Sequence, residues 1–330
     1  MKTISLFSSA EYANIKTVGI PRALLYYRYV QMWTTFFEGL GCQVVVSRET
    51  DKEILEIGDS LSIDESCLAS KVYMGHVQSL IGKCDAIFIP SINCINRFER
   101  FCTKFQSLPD MVENTFKEDF QIISFAVDEI QEKNSLENGF IQLAQKFGLS
   151  SKEAKRVVKD AFKAQEIANE KSNQSQQNLI KKLSALPKEE RPLVILVVSH
   201  PYLIKDWYIG GVVAEILENM GVEILFANET NRKKAREESY KFSNTMPWVV
   251  NRELIGSIML LQKDIDGIVI MSAFPCGPDS MTTDAIMRKV QGTPILNVTI
   301  DAQSGTAGLE TRIESFVDIL RCQKQGGYVR

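Results

Sequence analysis

Seven cysteines and two histidines carry most of the chemistry open to this 330-residue chain. The sharpest placement is that of Cys276. The run Ile268-Val269-Ile270-Met271-Ser272-Ala273-Phe274 reads as a buried parallel strand, Pro275-Cys276-Gly277-Pro278 as its exit and Asp279-Ser280 as the opening turn of a helix. A thiol in that place meets unpaired backbone N–H groups and the positive end of a helix dipole, which lower its pKa and stabilise negative charge held by the thiolate. A buried thiol that only fills core is the plainer reading of any single cysteine. The proline and glycine neighbours of Cys276 argue for the sharper one.

Cys67 follows Ser62-Ile63-Asp64-Glu65-Ser66, three of whose residues could cap a helix running to about Lys83. Cys94 and Cys102 fall in Ser91 to Lys104, read as an irregular segment after a third strand, where function concentrates on a rigid sheet. No C-x-x-C spacing occurs among these four, so local spacing is weak evidence for metal. Convergence of single ligands from separate loops would make an inter-domain site of thiolates and N–H dipoles, which suits an iron–sulfur cluster better than zinc. Cys42 and Cys84 read as apolar fillers and Cys322 as structural or surface. Glu65, Lys71 and His76 could serve acid–base chemistry, but as charged residues around a helix they read first as a solvated or cleft-lining face. No G-x-x-x-x-G-K-[ST], G-x-G-x-x-G or G-x-S-x-G motif is present.

Two halves of the chain share one template. Thr17-Val18-Gly19-Ile20-Pro21, a helix around Leu24 to Leu40 and Gly41 to Val46 match Leu193 to Pro201, a helix around Trp207 to Met220 and Gly221 to Phe226. Third strands at Cys84 to Pro90 and Ile265 to Met271, and fourth strands at Gln121 to Ala126 and Pro294 to Ile300, continue the parallel. The fold expected is α/β: two doubly wound parallel-sheet domains of flavodoxin or Rossmann type, with a helical connector and a cluster site between them. The ranges are 1–130, a connector at 131–190, 191–322 and a loose tail at 323–330. The connector either spaces the domains or supports self-association into a homo-oligomer. A hydrophobic content of 45% gives ample core, and a net charge of −3 offers no basic face, so nucleic acid is a poor partner. No apolar run reaches the roughly 18 residues of a membrane span, and the start is no signal peptide, so a cytoplasmic protein with reduced cysteines is expected.

In order along the chain, Val18-Gly19-Ile20-Pro21-Arg22-Ala23-Leu24, Asp64-Glu65-Ser66-Cys67-Leu68, Lys71, Gly75-His76-Val77, Cys102-Thr103-Lys104-Phe105, Leu108-Pro109-Asp110-Met111, Phe274 to Ser280, and Ser304-Gly305 through Gly308-Leu309 with Thr311-Arg312-Ile313-Glu314 form a recognisable set. With them the chain resembles the acyl-CoA dehydratase activase-related, or CoA-substrate-specific enzyme activase, family. That family is related to the iron–sulfur subunits of 2-hydroxyacyl-CoA dehydratases and benzoyl-CoA reductases and to double-cubane cluster proteins. The resemblance implies a [4Fe–4S]-type cluster, with a double-cubane cluster as the variant, held by Cys67, Cys102 and Cys276, which leaves one iron open for water, substrate or a further thiol such as Cys94. Cys94 is either that fourth ligand or a bystander beside Cys102. Ala69 and Thr103 stand where the family often has proline. True activases hydrolyse ATP on an actin-like fold with glycine-rich phosphate loops, which this chain lacks. The function expected is thus a low-potential iron–sulfur redox protein, reduced by a separate ATP-dependent activase or other electron donor. It would serve as a small-molecule or acyl-CoA-type reductase or dehydratase component. The alternative is a two-domain small-molecule binding protein with incidental cysteines.

Overall fold

The computed structural model describes residues 10–96, 99–117, 120–130, 133–187, 189–302 and 306–326. Arg97 and Phe98 of the cysteine-bearing loop, Ser304-Gly305 of the family motifs and residues 327–330 of the tail lie outside the described residues. The chain divides into two compact units. The first comprises Met1–Pro21, Tyr29–Ser47 and Leu80–Glu166, and the second Arg22–Arg28, Arg48–Ser79 and Ile167–Arg330.

In the first unit the strands are β1 (Thr17–Ile20), β2 (Gln43–Val46), β3 (Ala86–Phe88), β4 (Ser91–Asn96), β5 (Glu99–Arg100), β6 (Gln121–Ile123) and β7 (Ala126–Asp128). Four of them make a parallel sheet in the order β2-β1-β3-β6. Its cover is aromatic: the Phe36 ring meets Phe140 edge-on at 4.7 Å, and Phe37 meets Phe88 at 5.0 Å. Such T-shaped pairs add specific quadrupole attraction to the burial of large rings. The segment after β3 is not irregular. Ser91 to Asn96 and Glu99-Arg100 pair antiparallel, and β4 pairs parallel with β7, giving a three-stranded sheet with a bulge between Cys94 and Asn96. Its mixed composition, with Asn93 and Asn96 inside a strand, hid the pattern because bulges break the period of two.

The second unit holds β8 (Val194–Ser199), β9 (Glu223–Phe226), β10 (Gly267–Ala273) and β11 (Ile295–Ile300), all parallel, in the order β11-β10-β8-β9. Both four-stranded sheets thus have the doubly wound order expected from the repeat. Every residue of β8 and β10 is buried, which is why they read as continuous apolar runs rather than alternating ones. The edge strand β9 is finished by Gln176, whose amide accepts from Phe226 N–H at 2.7 Å and donates to Phe226 O at 3.2 Å. Residue 176 lies in the helix Ser151–Ser184, which the sequence presented as a polar connector.

The helices Lys52–Ser60 and Leu68–Leu80 bring Cys67 to its place. Asp51 caps the first by accepting from Ile54 N–H at 2.9 Å. The two helices touch through glycine: a Cβ on Gly58 would lie 1.9 Å from Lys71 O, and one on Gly75 would lie 2.0 Å from Ile54 O. Backbone cannot yield as a side-chain tip can. Gly75→Ala is therefore expected to lower the unfolding free energy by about 1–3 kcal/mol or more in urea titration, with a Gly82→Ala variant bearing on this contact not at all. A Gly75→Ala protein as stable as the parent would show that the two helices are not in backbone contact.

Candidate functional site

The carboxyl ends of β8 and β10 lie side by side, because Met271 pairs with Ser199 in register. The residues that leave those ends, His200 and the segment Phe274 to Cys276, are consequently neighbours at the point where strand order reverses, the usual ligand crevice of such sheets. Leu68 N–H donates to Phe274 O at 2.9 Å, fastening the residue after Cys67 to the loop that carries Cys276. Each of these cysteines immediately precedes a 13-residue helix, Leu68–Leu80 and Gly277–Lys289. Both are half-buried, and neither forms a disulfide.

Asp279, in the first turn of the second helix, is 5% exposed and organises the site. His200 Nε2 lies 2.8 Å from Asp279 Oδ1, and Asn251 Nδ2 donates to the same oxygen at 2.9 Å while also reaching Thr282 Oγ1 at 3.1 Å. Burial pushes the Asp279 carboxyl up, but His200 and the bonds from His200 and Asn251 outweigh it and hold the group below the usual carboxylate range. Against that carboxylate, which can only accept, His200 Nε2 is the donor. Among the described residues, His200 Nδ1 and Asp279 Oδ2 are buried without a hydrogen-bond partner. Tyr202 stacks on the imidazole at 4.8 Å between centroids.

The lowered thiol pKa expected at a helix start is reversed at Cys276. Burial drives it up first, the Asp279 carboxylate beside it adds to the rise, and a negative charge on Cys67 would add more; the Asp279 backbone N–H works the other way but is outweighed. The dipole's fraction of a charge loses to desolvation and a full neighbouring charge. Asn251 sits on the helix Val249–Leu261, which is tied down two residues later: Arg28 clasps Glu253 through both carboxylate oxygens at 2.7 and 2.9 Å, and Arg236 adds 3.1 Å. Breaking such a buried pair costs about 3–5 kcal/mol.

A second polar chain runs through the same unit. Thr50 Oγ1 donates to Asp206 Oδ2, which also receives the Tyr27 hydroxyl at 3.2 Å, while Asp206 Oδ1 caps Tyr208 and Ile209 N–H at 3.1 and 3.2 Å. With its proton so committed, Thr50 accepts from His76 Nε2 at 2.9 Å. His76 is fully buried rather than part of a solvated face, and burial, with Arg22 and Arg48 nearby, pushes its pKa down to about 3. Lys71 pairs with Asp59 at 2.7 Å and Glu65 is exposed.

Of the predicted site residues, Cys67 and Cys276 come together in the second unit. Cys94 and Cys102 belong to the first. There the buried Cys94 thiol donates to Asp128 Oδ1 at 3.2 Å, with burial raising its pKa, and the half-buried Cys102 precedes the short helix Thr103–Gln106. Cys42 is buried as a filler should be, and Cys322 is exposed. Sequence reasoning gave Asp279 and Asn251 no role. The signal for Asp279 was present: it stands three residues after Cys276, in the turn where an acid meets the helix N-terminus. Asn251, 28 residues upstream on a buried helix, left no comparable mark.

Residues 17–229, well over half of the chain, match the family described as the CoA enzyme activase uncharacterised domain. That span contains Cys67 and His200, while Cys276 and Asp279 lie beyond it. No curated protein matches. Among solved structures, a periplasmic metal binding protein from Candidatus Liberibacter asiaticus is 13% identical over 92% of this chain and 99% of that one, with a TM-score of 0.22. The SBP FpvC from Pseudomonas aeruginosa in complex with Mn2+ is 11% identical over 95% and 100%, with a TM-score of 0.25. A sugar transporter from Clostridium phytofermentans is 12% identical over 96% and 95%, with a TM-score of 0.18. Overlap this low carries no argument, including for the receptor-like alternative.

A low-potential iron–sulfur redox protein, with a cluster held by three cysteines, is overturned. The family matched is described as a CoA enzyme activase domain and not as an iron–sulfur protein, and among the described residues no group of three or more His, Cys, Asp and Glu could hold a metal ion. Two thiols beside a carboxylate already engaged by His200 and Asn251 do not make such a group. Also among the described residues, no helix is long and apolar enough to cross a membrane.

His76 gives the unit a pH signature. Its folded pKa, about 3, lies below the unfolded value of 6.5, so on acidification the unfolded chain takes up the proton first. Stability is therefore complete above pH 6.5 and falls by about 1.4 kcal/mol per pH unit as pH drops through that window. Unfolding free energies measured from pH 7 to 4 should show this slope, and His76→Gln should remove that share of it; an unchanged slope would place the imidazole in solvent. Asn251→Ala is expected to cost about 1.5–3 kcal/mol and to move the acid limb of Asp279 to higher pH, measured by the same titration.

Proposed function

The chain belongs to the CoA enzyme activase uncharacterised-domain family, and from that premise we propose that it works beside an ATP-hydrolysing activase in switching on an enzyme that turns over coenzyme A thioesters. The working site in this reading is the cluster of Cys67, Cys276, Asp279 and His200. What supports it most is the position of that cluster: two thiols and a buried Asp–His pair gathered where β8 and β10 diverge, in a family defined by activase association. ATP hydrolysis is assigned to the partner because Gly19-Ile20-Pro21-Arg22 and Ser199-His200-Pro201-Tyr202 occupy the turns where a phosphate loop would follow a first strand. The motif resemblance makes 2-hydroxyacyl-CoA dehydratases and benzoyl-CoA reductases the target enzymes to try first.

The chain's own residues supply positioning. Asn251 and His200 fix the Asp279 carboxylate, the two helix starts present the thiols, and His200 Nδ1 is left without a hydrogen-bond partner among the described residues. Reconstitution tests the proposal: target enzyme, activase, ATP and this chain, purified separately and combined. Turnover of the target should require the chain, and Cys276→Ser, folded as the parent by circular dichroism, should reduce it to the level seen without the chain. Full turnover when the chain is omitted, or with Cys276→Ser in its place, would contradict it.

A further inference from the structure

Cys67 and Cys276 have the asymmetry of an attacking and a resolving thiol. Cys67 Sγ lies 3.3 Å from Ser70 Oγ, a hydroxyl able to donate to it, immediately before a 13-residue helix. Cys276 instead lies beside the Asp279 carboxylate, which disfavours its thiolate but offers a place for its proton. Asp279 Oδ1 is taken by His200 and Asn251, while Oδ2 is buried and receives no N–H or O–H donor among the described residues, which leaves the carboxylate to the Cys276 thiol. The Leu68 N–H bond to Phe274 O at 2.9 Å keeps the two cysteine-bearing loops together. The Cys276 thiol is hydrogen-bonded to the Asp279 side chain and feels a charge on Cys67, so the carboxylate is already in place to take the proton of a thiol that has a second thiol as its neighbour.

We propose that Cys67 and Cys276 form a dithiol that exchanges with low-molecular-weight disulfides, Cys67 attacking and Cys276 resolving, with Asp279 as the proton acceptor for Cys276. The Cys67 thiolate, its proton released to water, attacks one sulfur of R–S–S–R. The S–S bond of the disulfide breaks, a Cys67–S–S–R bond forms and the first thiolate leaves, taking a proton from water. The Cys276 sulfur then attacks the Cys67 sulfur as its proton passes to the Asp279 carboxylate, the second thiolate departs and collects that proton, and a Cys67–Cys276 disulfide remains. Two protein thiols are oxidised and one disulfide is reduced to two thiols, so atoms and electrons balance. The activity uses the cluster assigned above but needs neither activase nor target enzyme. Its failure on the isolated chain and a failure of the reconstitution are thus separate results.

The experiment uses the full chain carrying Cys322→Ser, since Cys322 is exposed and would react by itself. Oxidised glutathione is added, the reaction is quenched with acid at intervals, and intact mass and peptide mapping follow the adducts. The parent should pass through a transient glutathione adduct on Cys67 to an internal Cys67–Cys276 disulfide that dithiothreitol reverses. Cys276→Ser should stop at the Cys67 adduct, and Asp279→Asn should form that adduct at the parental rate but close the disulfide on the order of 10²-fold more slowly. A persistent Cys67 adduct in the parent, first attack at Cys276, or no reaction at either thiol would overturn the proposal. The parent and Cys276→Ser decide it without Asp279→Asn, should that variant not fold.

Discussion

The parallel register of β8 with β10 is the constraint on which the site depends. Because Ser199 and Met271 are partners, the chain leaves both strands at the same level, and whatever follows them must share one crevice. His200 and Asp279 meet through that geometry although 79 residues separate them. Both strands are buried on both faces, so a slip in register would cost the packing of two entire strands. The site inherits its precision from the hydrophobic interior beneath it.

Around that interior lie charges placed where water does not reach. Asp279, Glu253, Arg28 and Arg252 are all buried, each within reach of opposite charge or several hydrogen-bond partners. Arg252 donates to Ser239 Oγ and Ser243 O at 3.1 Å and lies 4.0 Å from the Tyr240 ring centroid, which suits a planar cation better than lysine would. Such networks stabilise little in net terms, since desolvation offsets most of the attraction, but they penalise any other arrangement heavily. Fixing the helix Val249–Leu261 through Arg28 and Glu253 fixes Asn251, and Asn251 fixes the carboxylate. The unpartnered atoms, Asp279 Oδ2 and His200 Nδ1, are what remains after that fixing.

Much of this was legible in the residues. The repeat in the two halves gave both parallel sheets with their strand order, because buried parallel strands write themselves as unbroken apolar runs such as Val194 to Val198. The placement of Cys276 at a strand-to-helix turn was readable from Pro275, Gly277 and Pro278. The charge state of that thiol was not. A helix start acts through local sequence, whereas desolvation and the Asp279 carboxylate act through packing that a linear pattern does not record. The same holds for His76, whose burial depends on Thr50 and Asp206 arriving from distant segments. The small β4-β5-β7 sheet escaped because its strands are short, polar and bulged. The iron–sulfur assignment went furthest astray, since it counted cysteines at loop positions and let the family resemblance supply their convergence.

What unites the site, the family assignment and the proposed dithiol chemistry is the proximity of two thiols 209 positions apart in the sequence, Cys67 and Cys276. Dibromobimane, which becomes fluorescent when both of its arms alkylate thiols within a few ångströms, reads that proximity directly on the folded, reduced chain. Fluorescence with a bridged Cys67–Cys276 peptide pair, lost in either single serine variant, is the result predicted. Single-armed adducts on Cys67 and Cys276 with no bridge would contradict the account.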